Sequence, residues 1–305
     1  MRVAALDLGS NTFLCLIADV EGGRIVRVVH DVARTVRLGQ EVNRTGCFHP
    51  DALARADQCL REFRQLIDEC GVEKTFAGAT AAARSVTNGE ELLKIGNSHG
   101  FPIQIISGER EAELSYTGAW SSFGDEKTRL VVDIGGGSTE LIVGRGSRIL
   151  SATSLPLGGV RQTEKHITAQ PVPEIEGQNL RTEVEGILLP ALNRMDGQMI
   201  EEVVAVAGTP TAIAAVELGG FDAAKVDGYW IEVERLRRWC DIFSSTSVEE
   251  KREKYGLGGR ADIIYVGATI LERIISQLGC TGFRVSARGL RYGLVLDHST
   301  VAADV

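Results

Sequence analysis

Two α/β domains, each a mixed or parallel sheet covered by helices, are the fold class this sequence predicts, and three observations carry the prediction. The chain has 305 residues, 44% of them hydrophobic, whereas a single core stops growing at roughly 250 to 300 residues, so two cores are expected. Runs of Val, Ile and Leu alternate with segments of helical periodicity, as helices packed on a sheet require. The chain also repeats itself. Asp7-Leu8-Gly9-Ser10-Asn11-Thr12, followed by an apolar run and later by Leu38-Gly39, returns as Asp133-Ile134-Gly135-Gly136-Gly137-Ser138, an apolar run and Leu157-Gly158. The duplication places a boundary in the polar stretch 121–128, giving domains 1–124 and 125–305, with the final helix a candidate to pack back on the first.

In the first domain, residues 3–6, 13–18 and 25–29 read as a meander of three strands, separated by Gly9-Ser10-Asn11 and Glu21-Gly22-Gly23. A helix begins at Pro50, which suits a first-turn position, keeps Leu53, Ala56, Leu60, Phe63 and Ile67 on one face, and can be capped by Gly71. A strand at 75–77, a helix at 90–98, a strand at 103–106 and a helix over about 108–120 then alternate. The second domain opens with the repeated meander and continues with helical segments to Met195. A strand at 203–207, a turn at Gly208-Thr209-Pro210, a short helix to Leu218, a long amphipathic helix over about 262–277 and a strand at 283–286 complete it. Trp230 and Trp239 flank a helix start and read as core.

A net charge of -8 and a pI near 5.3 argue against a nucleic-acid or membrane-surface binder, which would carry a basic excess. Phosphate remains compatible, because the local field depends on the charges lining a site. The six cysteines include no C-x-x-C pair, so neither zinc nor a disulfide scaffold is indicated. Asp7 interrupts the stretch a signal peptide would need, and no apolar run approaches a membrane span, so a cytoplasmic protein is expected.

Asp133-Ile134-Gly135-Gly136-Gly137-Ser138-Thr139-Glu140 is the sharpest local signal. A strand delivers a carboxylate to a three-glycine turn, where missing Cβ atoms let backbone N–H groups approach an anion. Phosphate fits such a nest, but Asp133 and Glu140 would repel it, which implies a bridging cation such as Mg2+ or a role in orienting water. A glycine-rich hairpin with solvated acids is the plainer reading, and the matching turn at Asp7 weighs against it. Gly208-Thr209 between a strand and a helix could hold an anion at the helix N-terminus, although a capped helix start would use the same residues. His30-Asp31 has no supporting histidine elsewhere and reads as a strand end.

The first turn, Thr80-Ala81-Ala82-Ala83-Arg84 with Asn88, Ile106-Ser107-Gly108-Glu109-Arg110-Glu111-Ala112, the Asp133 motif, Gly208-Thr209 and Ser286-Ala287-Arg288-Gly289-Leu290-Arg291 together resemble the exopolyphosphatase and guanosine pentaphosphate phosphohydrolase family. The resemblance covers nearly the whole chain and implies two actin-like (ribonuclease H-like) domains, as in sugar kinases, Hsp70 and actin, with an interdomain cleft. It implies that Glu111 is the catalytic carboxylate, orienting or deprotonating the attacking water. Asp133 and Glu140 correspond to metal-binding acids, with Asp7 as a further candidate ligand, and the implied cofactor is Mg2+ or another divalent cation. Ser10, Asn11, Thr12, Arg37, Arg84, Gly135, Gly136, Gly137, Ser138, Gly208 and Thr209 fall at its phosphate contacts. Acids in a first helical turn also stabilise the helix dipole, which suffices for Glu109, so only the resemblance singles out Glu111. One departure is Leu290-Arg291-Tyr292-Gly293 where the family commonly has an acid in place of Tyr292.

The expected function is release of the terminal phosphate of inorganic polyphosphate, with guanosine pentaphosphate 5'-phosphohydrolase as the alternative. A phosphotransferase of the same fold and a non-catalytic phosphate or nucleotide sensor stand further off. A homodimer is implied by the resemblance alone.

Overall fold

The structure, a computed structural model, describes residues 1–123, 126–195 and 199–300, the last three by backbone alone. It divides into two compact units, Met1–Gly118 with the chain from Leu290, and Ala119–Gly289. The expected boundary between residues 124 and 125 lies outside the described residues.

In the first unit the elements run β1 (Arg2–Leu8), β2 (Thr12–Glu21), β3 (Arg24–Thr35), α1 (Val42–Thr45), α2 (Pro50–Glu69), β4 (Lys74–Ala79), α3 (Ala81–Arg84), α4 (Gly89–Ser98), β5 (Ile103–Ile105) and α5 (Gly108–Trp120). The sheet order is β3-β2-β1-β4-β5. β1 to β3 form an antiparallel meander, and β4 and β5 run parallel to β1. The parallel pairs need helical crossovers, and β1 is buried on both faces from Val3 to Leu6 as such a sheet demands. α2 starts with Pro50 behind His49, whose ring accepts from the Asp51 N–H at 3.2 Å. It buries Leu53, Ala56, Leu60, Phe63 and Ile67, the four larger side chains each worth about 1.5 to 3 kcal/mol against exposure.

The second unit contains β6 (Thr128–Ile134), β7 (Thr139–Arg145), β8 (Arg148–Leu155), α6 (Gly159–His166), α7 (Glu174–Asn193), β9 (Glu202–Val206), α8 (Gly208–Glu217), α9 (Ala223–Val226), β10 (Trp230–Glu232), α10 (Val233–Ser245), α11 (Val248–Tyr255), a 3-10 turn (Gly258–Arg260), α12 (Ile264–Gln277) and β11 (Gly282–Val285). Its sheet order is β10-β11-β9-β6-β7-β8. β6 to β8 repeat the meander, and β9 and β11 repeat the two parallel strands, so among the described residues β10 is the strand added to the plan of the first sheet. α13 (Leu290–Thr300) returns to the first unit. There Leu290, Leu294 and Val295 pack with Val3, Ala5, Leu16 and Leu114. Its Gly293 permits the crossing with α5, because a Cβ there would sit 2.0 Å from the Leu114 carbonyl oxygen.

Two sequence expectations change. α12 is buried on every face from Ile264 to Glu272 instead of being amphipathic, since it packs against α6, α7, α8, α10 and β6. Trp230 is 39% exposed on the edge strand β10, beneath the Arg284 guanidinium, and is not core. Trp239 does pack, stacking on Phe243 at 5.2 Å. No helix among the described residues is long and apolar enough to cross a membrane.

Candidate active site

In each unit the singled-out residues collect at one end of the sheet. β1 pairs in parallel with β4, and β4 with β5, so the ends at Leu8, Ala79 and Ile105 are neighbours. From those ends leave the Ser10 turn, the segment to Arg84 and the segment to Glu111. In the second unit the ends of β6, β9 and β11 are likewise neighbours and release the Gly135–Ser138 turn, Gly208-Thr209 and Ser286-Ala287-Arg288. Carboxyl ends of parallel strands are where α/β sheets bind ligands.

The two glycine turns share one construction. Asp7 stands opposite Leu14 and Asp133 opposite Glu140, and each hairpin spans four residues, 9–12 and 135–138. The chain after the third strand then latches onto the turn. The Gly39 N–H donates to the Ser10 carbonyl at 2.7 Å, and the Arg37 N–H to that of Asn11 at 2.8 Å. In the second copy the N–H groups of Val160 and Arg161 donate to the Gly136 carbonyl at 2.9 and 3.0 Å. This contact explains the repeated Leu-Gly. A Cβ on Gly158 would lie 2.4 Å from the Gly136 oxygen, and one on Gly39 would lie 3.1 Å from the Ser10 Cβ. The hydroxyls of Ser10 and Ser138 are buried with no hydrogen-bond partner among the described residues, a cost that a bound anion or water would relieve.

Glu111 and Glu109 sit in the same first turn of α5 and do different things. The exposed Glu109 carboxylate is held below its ordinary range by its own backbone N–H, then by the Ser107 hydroxyl, as a helix-start acid should be. Glu111 is buried, and its Oε2 accepts from Arg84 Nη1 at 2.6 Å. The same Nη1 donates to the Ile106 carbonyl at 3.0 Å, and among the described residues Nε and Nη2 of Arg84 meet no protein acceptor. Arg84 therefore fixes the carboxylate with one edge and presents the other.

Asp133 and Glu140 face the same side of adjacent strands, at the about 4.5 to 5.5 Å Cβ separation of directly opposed residues. Glu140 is fully buried and its Oε1 accepts from Ser154 Oγ at 2.7 Å. Two acids side by side in a buried place favour a shared cation. No group of three His, Cys, Asp or Glu side chains suited to a metal occurs among the described residues.

The third turn is strained. Ala207, directly before Gly208, has φ 70 and ψ -163, a region that costs a non-glycine residue about 1 to 3 kcal/mol and recurs at functional sites. A Cβ on Gly208 would fall 1.6 Å from Arg260 Nη1, so the glycine makes room for a guanidinium at the start of α8. Sequence reading missed Arg260, because only the fold brings residue 260 to residue 208.

His30-Asp31, read from the sequence as a strand end, lies within β3, and Asp31 has a role that reading did not give it. Its carboxylate accepts from Arg291 Nε and Nη2 at 2.7 and 2.8 Å and from the Tyr292 hydroxyl at 3.1 Å. Burial works against the Arg291 charge, yet Asp31 outweighs it, with smaller contributions from Tyr292 and Asp7, and holds the guanidinium above its ordinary range. Tyr292 thus has work to do where the resemblance leads one to expect an acid, and Asp7 has a cation within electrostatic reach.

A sequence profile of the Ppx/GppA phosphatase family matches residues 16–301. Exopolyphosphatase 2 of Mycobacterium tuberculosis is 32% identical over 97% of this chain and 98% of that protein. An Aquifex aeolicus member of the Ppx/GppA family has a similar structure, at TM-score 0.81 and 30% identity over 99% of this chain and 98% of that one. An exopolyphosphatase from Cytophaga hutchinsonii matches at TM-score 0.89 and 25% identity, over 98% of each chain. The ethanolamine utilization protein EutJ of Carboxydothermus hydrogenoformans, 15% identical at TM-score 0.50 over 97% of this chain and 90% of that one, shares the fold alone. Both units accordingly have the actin-like fold, and the chain belongs to the Ppx/GppA phosphatase family of phosphoanhydride hydrolases.

Proposed function

We propose that this protein is an exopolyphosphatase that releases the terminal phosphate of inorganic polyphosphate by attack of water. The observation that carries the reading is the pair of matched glycine turns, each holding a buried serine hydroxyl without a hydrogen-bond partner among the described residues. A nest of this construction suits a phosphoryl group. Glu111, fixed by Arg84, accepts a hydrogen bond from the attacking water and orients it, and the second edge of Arg84 binds a phosphoryl oxygen. Arg37, Ser10, Asn11 and Thr12 serve the first turn, and Gly135 to Ser138 with Gly208 and Thr209 serve the second unit.

Asp133 and Glu140 fit Mg2+, which commonly takes one or two protein carboxylates and completes its shell with water and substrate phosphates. When bound, the ion neutralises charge on the phosphoryl oxygens. Asp7 is a weaker candidate ligand, because the Arg291 guanidinium already offsets its charge.

Guanosine pentaphosphate is the second reading, since its triphosphate end offers the same linked phosphoryl groups. Phosphate release from polyphosphate and guanosine pentaphosphate, measured side by side with and without Mg2+, decides between them. The proposal expects the larger kcat/KM for polyphosphate and dependence on the ion. A larger kcat/KM for the nucleotide would reassign the substrate.

A further inference from the structure

The second latch carries a cation. Arg161 stands in the first turn of α6, its N–H bonded to the Gly136 carbonyl at 3.0 Å and its Nε donating to the Gly137 carbonyl at 2.9 Å. These contacts to successive carbonyls pin the guanidinium against the glycine turn. Among the described residues it forms no ion pair, and its Nη1 and Nη2 have no protein acceptor. Several other arginines of the chain are paired: Arg84 with Glu111, Arg129 and Arg284 with Glu202, and Arg273 with Glu272. Burial lowers the Arg161 pKa, and the charge of Glu164 opposes this only in part. The protein therefore desolvates this guanidinium without supplying its counterion. The same turn buries the Ser138 hydroxyl without a partner. A planar fork and an unpartnered hydroxyl held at one turn suit an anion with several oxygens.

We infer that Arg161 is a phosphate-binding residue of the second glycine turn, its two Nη groups gripping oxygens of one phosphoryl group of a linear phosphoanhydride while Ser138 donates into the same site. This rests on the exopolyphosphatase reading and deepens it. Arg161 holds substrate in the ground state and takes no part in positioning the water, so its loss acts on KM and leaves kcat nearly intact.

The test uses bismethylene triphosphate, whose P–C–P links resist hydrolysis, with binding measured by calorimetry on the wild type, Arg161→Gln and Arg161→Lys. Glutamine keeps an amide that can reach the Gly137 carbonyl, so the turn stays braced. Its Kd and its KM for polyphosphate are expected to rise about ten- to a hundredfold, the scale of losing charge-assisted hydrogen bonds, with kcat within about threefold of the wild type. Lysine keeps the charge without the fork and should weaken binding by a smaller factor, which preserves the test if the glutamine variant fails to fold. An unchanged Kd in the folded variants, or a fall in kcat with constant KM, overturns the role of Arg161 and leaves the functional reading standing. A wild type that binds no triphosphate analogue overturns both.

Discussion

The acids Asp133 and Glu140 show how residue identity and register combine. Either alone would read as a solvated carboxylate, but the register of β6 with β7 sets them opposite each other, where two like charges destabilise the strand pair unless a cation lies between. Asp133→Asn removes half of that charge. We expect the Mg2+ concentration for half-maximal activity to rise about tenfold or more, with a matching loss of activity at low Mg2+. Activity measured across a Mg2+ series checks this, and an unchanged curve would place the ion elsewhere. The glycine turns and Asp133 were visible in the sequence because the duplication displays them twice, whereas Glu140, which has Leu14 at its repeat position, was singled out by its place beside the second turn. Asp31, Arg161 and Arg260 were not, because each acquires meaning from a partner distant along the chain: Asp31 meets Arg291 across 260 positions and Arg161 meets Gly137 across 24. Periodicity and motif spacing carry no signal over such separations.

At the scale of elements, the strands, the long helices and the meander repeat follow from apolar periodicity and turn residues. β10 escaped notice because its three residues run directly into α10 with no turn between them, and α12 was misjudged because helical periodicity reveals one buried face but not how many neighbours cover the others. The latches explain the Leu-Gly pairs and make a ranked prediction. Gly158→Ala drives a Cβ to 2.4 Å from backbone and should destabilise by about 1 to 3 kcal/mol, whereas a Cβ at Gly39 meets the Ser10 Cβ and carbonyl oxygen at 3.1 and 3.3 Å, a milder crowding, and should lose less. Urea denaturation of both variants tests the order. A reversal would mean that the second turn yields more easily than the first.

The segment that delivers Arg260 has its own anchor. Lys251 of α11 is fully buried and donates to the Gln170 side chain, whose Nε2 donates in turn to the Asp262 carbonyl at 2.6 Å. Burial pulls the Lys251 pKa down to about 8 from 10.5. Above pH 8 the folded state has released this proton while the unfolded state keeps it up to pH 10.5, so the unfolded state binds more protons and this contribution to stability rises with pH. Below pH 8 the full penalty, about 3 kcal/mol, is present. The stability of the wild type relative to Lys251→Met should therefore improve by about that amount between pH 7.5 and 10.5. Denaturant titrations across that range measure it, and a flat difference would return Lys251 to an ordinary pKa.

For the whole molecule, the acidic balance of -8 and the phosphate chemistry are reconciled by placement. Arg37, Arg84 and Arg161 lie on segments that leave the carboxyl ends of strands or latch onto their turns, and Arg260 lies against Gly208, so local positive charge is available in each unit despite the acidic total. The central claim is that water, oriented by Glu111, attacks the terminal phosphorus of polyphosphate. Hydrolysis in 18O-labelled water, followed by mass spectrometry of the released phosphate, tests it most directly. The account predicts one 18O atom in each phosphate set free by the wild type, and about a hundredfold or greater fall in that release for a folded Glu111→Gln variant, the scale of losing a positioned proton acceptor. Phosphate transferred to an acceptor without label, or labelled release at the wild-type rate from Glu111→Gln, would contradict it.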